Sequence, residues 1–133
     1  MLTKSLVAAA AAGGVLLSAT PALAADGGLY GKGDPTYDGV YRQSLSILAL
    51  QDTGRTVPKA ALNWLQDQQC SDGSWMAYRA DTSAPCVEDP ATWTYKDSNA
   101  AAMATLGLTA IGATAPVDPT TWFQSVRGTD GGW

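Results

Sequence analysis

Two neighbouring side chains in this sequence could move protons, Glu88 and Asp89, which stand just ahead of Pro90. A carboxyl held beside a second carboxylate can act as a general acid, because one member of the pair resists ionisation. Adjacent acids before a proline also describe a solvated turn, and no second acidic pair accompanies them. The chain has no histidine, which removes the usual base near neutral pH. Its isolated Ser and Asp residues define no triad. Asp34 and Asp38 are spaced loosely like cation ligands, but acids beside Gly and Pro read as turn and cap residues. Cys70 and Cys86 could bind metal only with further ligands, and no second Cys pair is present. No catalytic, cofactor-binding or metal-binding residue is therefore assigned, and no cofactor is expected.

The aromatics offer binding rather than reaction. Five Trp and five Tyr could line a groove for isoprenoid tails or stack on sugars. Most occupy positions that recur along the chain, which favours a core role. Tyr78, Trp93 and Tyr95 lie outside the recurring pattern or at its edge and are the ligand-contact candidates.

That pattern defines the elements that must position these residues. The stretch from Trp64 to Trp75 returns 58 residues later as Trp122 to Trp133. Residues 36–75 align with 94–133 without a gap, with twelve identities in forty positions, enough to read the chain as tandem units that bury their apolar faces on one another. Asp38 caps a helix over about 39–52, and Gly54 stops it. In the second unit no charged residue occurs from Ser98 to Val117. Asn99, Gly107 and Pro116 argue against a membrane span there, leaving a buried inner helix. Thr56-Val57-Pro58 and Asp118-Pro119 open second, more polar helices, the first running to about Gln69. The expected fold is all-α: tandem αα-hairpins, each ending in a Gly-containing turn and a Trp.

The chain divides into residues 1–24, a linker or partial repeat at 25–35, repeat one at 36–75, a loop insertion at 76–93 and repeat two at 94–133. Residues 1–24 carry Lys4, an apolar run and Pro21-Ala22-Leu23-Ala24, the features of a secretory signal peptide. Export predicts an extracellular protein, and an oxidising compartment in which Cys70 and Cys86 join and close the insertion. Such a loop of about 15 residues contributes roughly 3 kcal/mol in the chain-entropy view. Without Lys4 there remain seven basic side chains against twelve acidic ones. That balance and the scattering of Lys and Arg count against nucleic acid or anionic membrane as partners. Asp26-Gly27-Gly28-Leu29-Tyr30 reads as the tail of one more turn, with Leu29 at the aromatic position.

Read by role, Trp64, Leu65, Gln69, Gly73 and Trp75 give aromatic-aliphatic-x-x-x-Gln-x-x-x-Gly-x-Trp. This resembles the QW motif of the terpene cyclase and protein prenyltransferase superfamily, and residues 36–133 are similar to secreted bacterial proteins with squalene-cyclase-like repeats. The second copy keeps Trp122, Phe123, Gly131 and Trp133 but has Arg127 in place of Gln. The resemblance implies part of an (α/α) toroid, incomplete because two helix pairs do not close a ring. In it the Gln amide satisfies backbone groups at neighbouring helix ends while Trp packs over the junction. Arg127 accepts no hydrogen bond but could stack on Trp133. The motif is structural. The D-x-D-D and D-D-x-x-D patterns of the cyclases are absent, as is the His of a prenyltransferase zinc site. The leading expectation is an exported scaffold or binding module for an apolar or extracellular ligand, able to self-associate through an open repeat edge. The alternatives are the front of a longer transferase or cyclase, and a carbohydrate-active toroid.

Overall fold

The computed structural model describes residues 27–31 and 34–133. The signal-peptide reading and the role given to Asp26 lie outside the described residues. Four α-helices follow in order: α1 (Pro35–Asp52), α2 (Lys59–Asp67), α3 (Ser98–Ala110) and α4 (Thr120–Val126), with a 3-10 turn at Pro90–Thr92 between α2 and α3. Extended pairing among the described residues is limited to two isolated bridges, Met76 with Lys96 and Asp89 with Thr94. The chain is all-α.

Local chemistry sets the helix limits. α1 begins four residues before the expected start, because the Asp34 carboxylate, not residue 38, caps it by accepting from Thr36 N at 2.9 Å, with Pro35 at the first helical position. α1 and α3 end identically. Gly54 and Gly112, at φ +66° and +69°, donate to Gln51 and Thr109, and the next residues, Arg55 and Ala113, reach back to Leu50 and Leu108. This closure satisfies carbonyls that the helix leaves unpaired. α2 starts after Pro58 and stops at Asp67, two residues short of the expected Gln69.

α1 packs along α3 and against α2. Small residues make the first contact close: a side chain on Gly107 would come within 3.4 Å of the Ser44 backbone. Val40, Ile47, Leu65, Trp75, Ala100, Ala101, Ala104, Leu108 and Trp122 form the core. Burying Ile47 or Leu65 completely stabilises the fold by about 1.5–3 kcal/mol each. α3 is less enclosed than its composition suggested. Asn99, Ala102, Leu106 and Thr109 are exposed on it, because among the described residues α1 is the helix that packs along it.

The N-terminal segment closes the opposite edge. Gln43, fully buried in α1, accepts from Tyr30 N at 2.9 Å and donates to Gly28 O and Ala61 O at 2.9 and 2.6 Å. Gly28, at φ +94°, lies so near the Ala60 carbonyl that a Cβ would stand 2.0 Å from its oxygen. Gly73, at φ +91°, presses in the same way on Asp118, which is Ala60 moved by one repeat. Gly28 therefore matches Gly73 and Tyr30 matches Trp75. The aromatic of this partial turn is Tyr30, one residue later than the expected Leu29.

Candidate functional site

The most elaborate part of the molecule is the path from the end of α2 to the start of α3. It opens with the turn that ends in Trp75. The Trp75 indole is fully buried and donates from Nε1 to Leu65 O at 3.1 Å. Cys70 N donates to Ser74 O at 2.8 Å and Gly73 N to Cys70 O at 3.0 Å, while Asp72 Oδ1 accepts from Ser74 N at 3.1 Å. Gln69 bridges to the next hairpin: its Nε2 donates to Gly73 O and Val117 O at 3.0 and 2.7 Å, and its Oε1 accepts from Val117 N at 2.8 Å. Gln66 adds a bond to Thr114 O at 2.9 Å. Both amides serve backbone groups in the loop ahead of α4, so α2 is tied to a segment 48 residues away in sequence.

The second turn repeats this frame. Trp133 Nε1 donates to Phe123 O at 2.7 Å, Gly128 N to Gly132 O at 2.7 Å, and Gly131 N to Gly128 O at 3.0 Å. Asp130 Oδ1 accepts from Gly132 N at 3.0 Å. Arg127 lies 5.5 Å from the centroid of the Trp133 ring, and that ring is 63% exposed.

From Trp75 the chain makes an excursion held at several points. Cys70 and Cys86 form a disulfide with Cα atoms 5.5 Å apart. Arg79 is buried inside the closed loop, donating from Nη1 to Gln68 Oε1 at 2.8 Å and from Nη2 to Ala84 O. Burial pushes its pKa down, against the pull of Asp81. Lys96 pairs with Asp72 at 2.8 Å and Glu88 at 3.8 Å. Partial burial works against the Asp72 charge, but hydrogen bonds from Lys96 and Ser74 outweigh it and hold the carboxyl below its ordinary range. The bond to Asp72 in turn raises Lys96. Asp97 ends the excursion: its N donates to Trp75 O, and its Oδ1 caps α3 through Ala100 N at 2.6 Å and accepts from Tyr41 Oη at 2.8 Å. Desolvation, with that bond to Asp97, pushes the Tyr41 phenol up to about 12.

At the outer tip, Asp89 and Thr94 exchange two backbone hydrogen bonds, of 2.9 and 3.0 Å. The Asp89 carboxylate accepts from Ala91 N and Thr92 Oγ1, and Glu88 Oε1 accepts from Lys96 N at 3.2 Å. Both acids of the candidate catalytic pair thus serve this hairpin. Trp93, at its end, has φ 57° and ψ 31° and is 82% exposed. It is the one non-glycine residue with positive φ among those described. Tyr95 and Val87 are exposed on the same hairpin. Tyr78 is half-buried against Tyr37, with ring centroids 5.4 Å apart. The three aromatic candidates therefore separate: Trp93 and Tyr95 share the hairpin, while Tyr78 packs on α1. Behind the hairpin a cleft of about 300 Å³ is lined by Met76, Arg79, Ala84, Val87, Asp89 and Thr94.

Among the described residues no cluster of acids and cysteines is placed to hold a metal ion, and no helix is long and apolar enough to cross a membrane. Gln43, Arg79 and Asp97 were not singled out from the sequence. Only Gln43 left a signal there, as a polar residue at the repeat position filled by Ala101. No family model, curated protein or solved structure matches the chain.

Proposed function

We propose that this chain is an exported α/α-toroid repeat segment that acts as a scaffold or binding module and contacts an apolar or extracellular ligand through the hairpin carrying Trp93. The toroid reading is supported by two hairpins whose turns share the same internal hydrogen bonds, and by the resemblance of Trp64, Gln69, Gly73 and Trp75 to the QW pattern. The observation that carries the binding reading is Trp93 itself. A large aromatic is held in the left-handed region, at a cost on the order of 1 kcal/mol or more, and its ring is given to solvent rather than to the core. Paired backbone bonds on either side and the nearby disulfide fix the tip, so little conformational entropy remains to be lost when the ring is covered. Glu88 and Asp89 are engaged in building the same tip, which favours binding over acid catalysis.

A 19F spectrum of chain labelled with 5-fluorotryptophan, with the Trp93 line assigned by its loss in Trp93→Phe, tests the reading. The probes are farnesol and neutral glucan oligosaccharides. One class shifts the Trp93 line on titration, and Trp93→Ala weakens that binding by about two- to twelvefold, as expected for an aromatic contact of roughly 0.5–1.5 kcal/mol, without changing the melting temperature. If the Trp93 line ignores both classes, or Trp93→Ala binds as well as the parent, the reading fails.

A further inference from the structure

We propose that copies of this chain associate head to tail, with the open face of α3 on one copy entering the open groove beside α1 on the next. The seam that joins the two hairpins shows what each face is for. Ser44 of α1 sits on Gly107 of α3, with Val40, Ile47, Ala100 and Ala104 buried in the same cluster. Moved back by one repeat, Ala104, Gly107 and Leu108 become Ser46, Ala49 and Leu50 of α1. These three line a groove of about 420 Å³ together with Tyr30, Thr53 and Arg55. Moved forward by one repeat, Ser44 and Leu48 become Ala102 and Leu106 of α3, which are exposed.

Each copy thus carries a free socket and a free plug of the kind that already holds its own hairpins together. The sizes are complementary: Ala102 is smaller than Ser44 by a hydroxyl, and Ala49 is larger than Gly107 by a methyl. No charged side chain lies between Ser98 and Val117, so the incoming helix brings no charge of its own into the groove, where Arg55 is the one charged side chain of the lining. The two faces differ, which makes the contact heterologous and open-ended.

Tyr30 adds an independent observation at the socket. Its hydroxyl is buried without a hydrogen-bond partner among the described residues. Its counterpart, Trp75, donates to Leu65 O of the preceding helix, and moving Leu65 forward by one repeat gives Phe123. In the docked pair the Phe123 carbonyl of the incoming copy meets Tyr30 of the receiving one. Trp133, the exposed clamp that holds this carbonyl within its own chain, swings aside with the turn that carries it, because Gly28 of the receiving copy already fills the seat on Ala60.

The test uses the chain produced with its own leader and purified after export, studied by sedimentation velocity from micromolar to millimolar concentration. The parent forms dimers and larger species as concentration rises. Ala49→Glu blocks the socket and Leu106→Glu blocks the plug, and each variant alone stays monomeric with a parent-like circular dichroism spectrum. Mixed one to one, they form a dimer and nothing larger, because one intact plug and one intact socket remain. Trp133→Ala, which frees the Phe123 carbonyl, shifts association to several-fold lower concentration. A parent that stays monomeric throughout, single variants that still associate, a mixture that stays monomeric, or weaker association of Trp133→Ala would each overturn the proposal.

Discussion

The turn at residues 64–75 and the turn at 122–133 share a backbone frame and differ in what they reach. In both, the indole N–H closes on the carbonyl ten residues earlier, and an aspartate holds the amide two residues on. Among the positions that differ are Gln69 against Arg127 and Cys70 against Gly128. Gln69 and Cys70 have partners outside their own turn, in the loop before α4 and in the excursion. Arg127 turns back onto its own Trp133. The aspartate, the first glycine and the tryptophan that build the frame recur, whereas Gln69 and Cys70, whose partners lie outside the turn, do not. Gln124 is the instructive exception: it repeats Gln66 yet is exposed, keeping the group that would tie to a following unit.

The largest test of this comparison removes the two indoles in turn. Trp75 is fully buried in the core and Trp133 is mostly exposed. Trp75→Ala leaves a cavity and an unpaired Leu65 carbonyl, so a loss of about 3–5 kcal/mol is expected in urea unfolding. Trp133→Ala, with the same hydrogen bond but little burial, costs about 1 kcal/mol. Equal losses would mean that the hydrogen bond, and not the burial of the ring, sets the worth of the motif.

A middle-sized effect comes from exchanging the amide and the guanidinium. Gln69→Arg removes the acceptor that takes Val117 N and the donor that reaches Val117 O. These groups are partly open to water, so the expected cost is about 1–2 kcal/mol, seen as a lower denaturation midpoint with an unchanged slope. The reverse exchange, Arg127→Gln, loses only the contact with an exposed ring and stays within about 0.5–1 kcal/mol of the parent. If both exchanges cost the same, the bridge to the next hairpin contributes no more than the stacking.

The sequence revealed what repeats and concealed what depends on path. Gly54 with Gly112 and Trp75 with Trp133 announced two hairpins because each pair needs the same local conformation. At the head of α1, the proline beside Asp34 was the better signal than the cap-type acid at residue 38. The paired Gly27-Gly28 hid which glycine takes the close seat on Ala60, and so placed the aromatic at Leu29 instead of Tyr30. The alanines of α3 could not say which side would be covered, since Ala suits a buried or an open face equally well. Trp93 gave no warning of its left-handed conformation, which is set by the Asp89–Thr94 pairing around it. The partners of Arg79 follow from the course of the disulfide loop, which has no periodicity to read.

The smallest expected effect separates the two turns by their aspartates. Asp72 has Lys96 opposite it at 2.8 Å, whereas Asp130 accepts from Gly132 N within its own turn. The carboxyl of Asp72 is held below 3.8 and the ammonium of Lys96 is held above 10.5. A depressed acid stabilises the fold above its unfolded value, and that contribution is lost as pH falls through the lower folded value. A raised base contributes below its unfolded value and loses that as pH rises through the higher folded one. The pair therefore gives a plateau between about pH 5 and 9, with a decline at each end. Both side chains are about one-third exposed, so solvent screening leaves well under about 1 kcal/mol. Lys96→Met should shorten the acid limb of the stability profile and remove the alkaline decline due to Lys96, while Asp130→Asn leaves the alkaline limb unchanged. An alkaline decline in Lys96→Met as steep as in the parent would place that sensitivity elsewhere. The first group to look at would then be the Tyr41 phenol, whose rise from 10.0 to about 12 also favours the folded chain until it is lost with increasing pH.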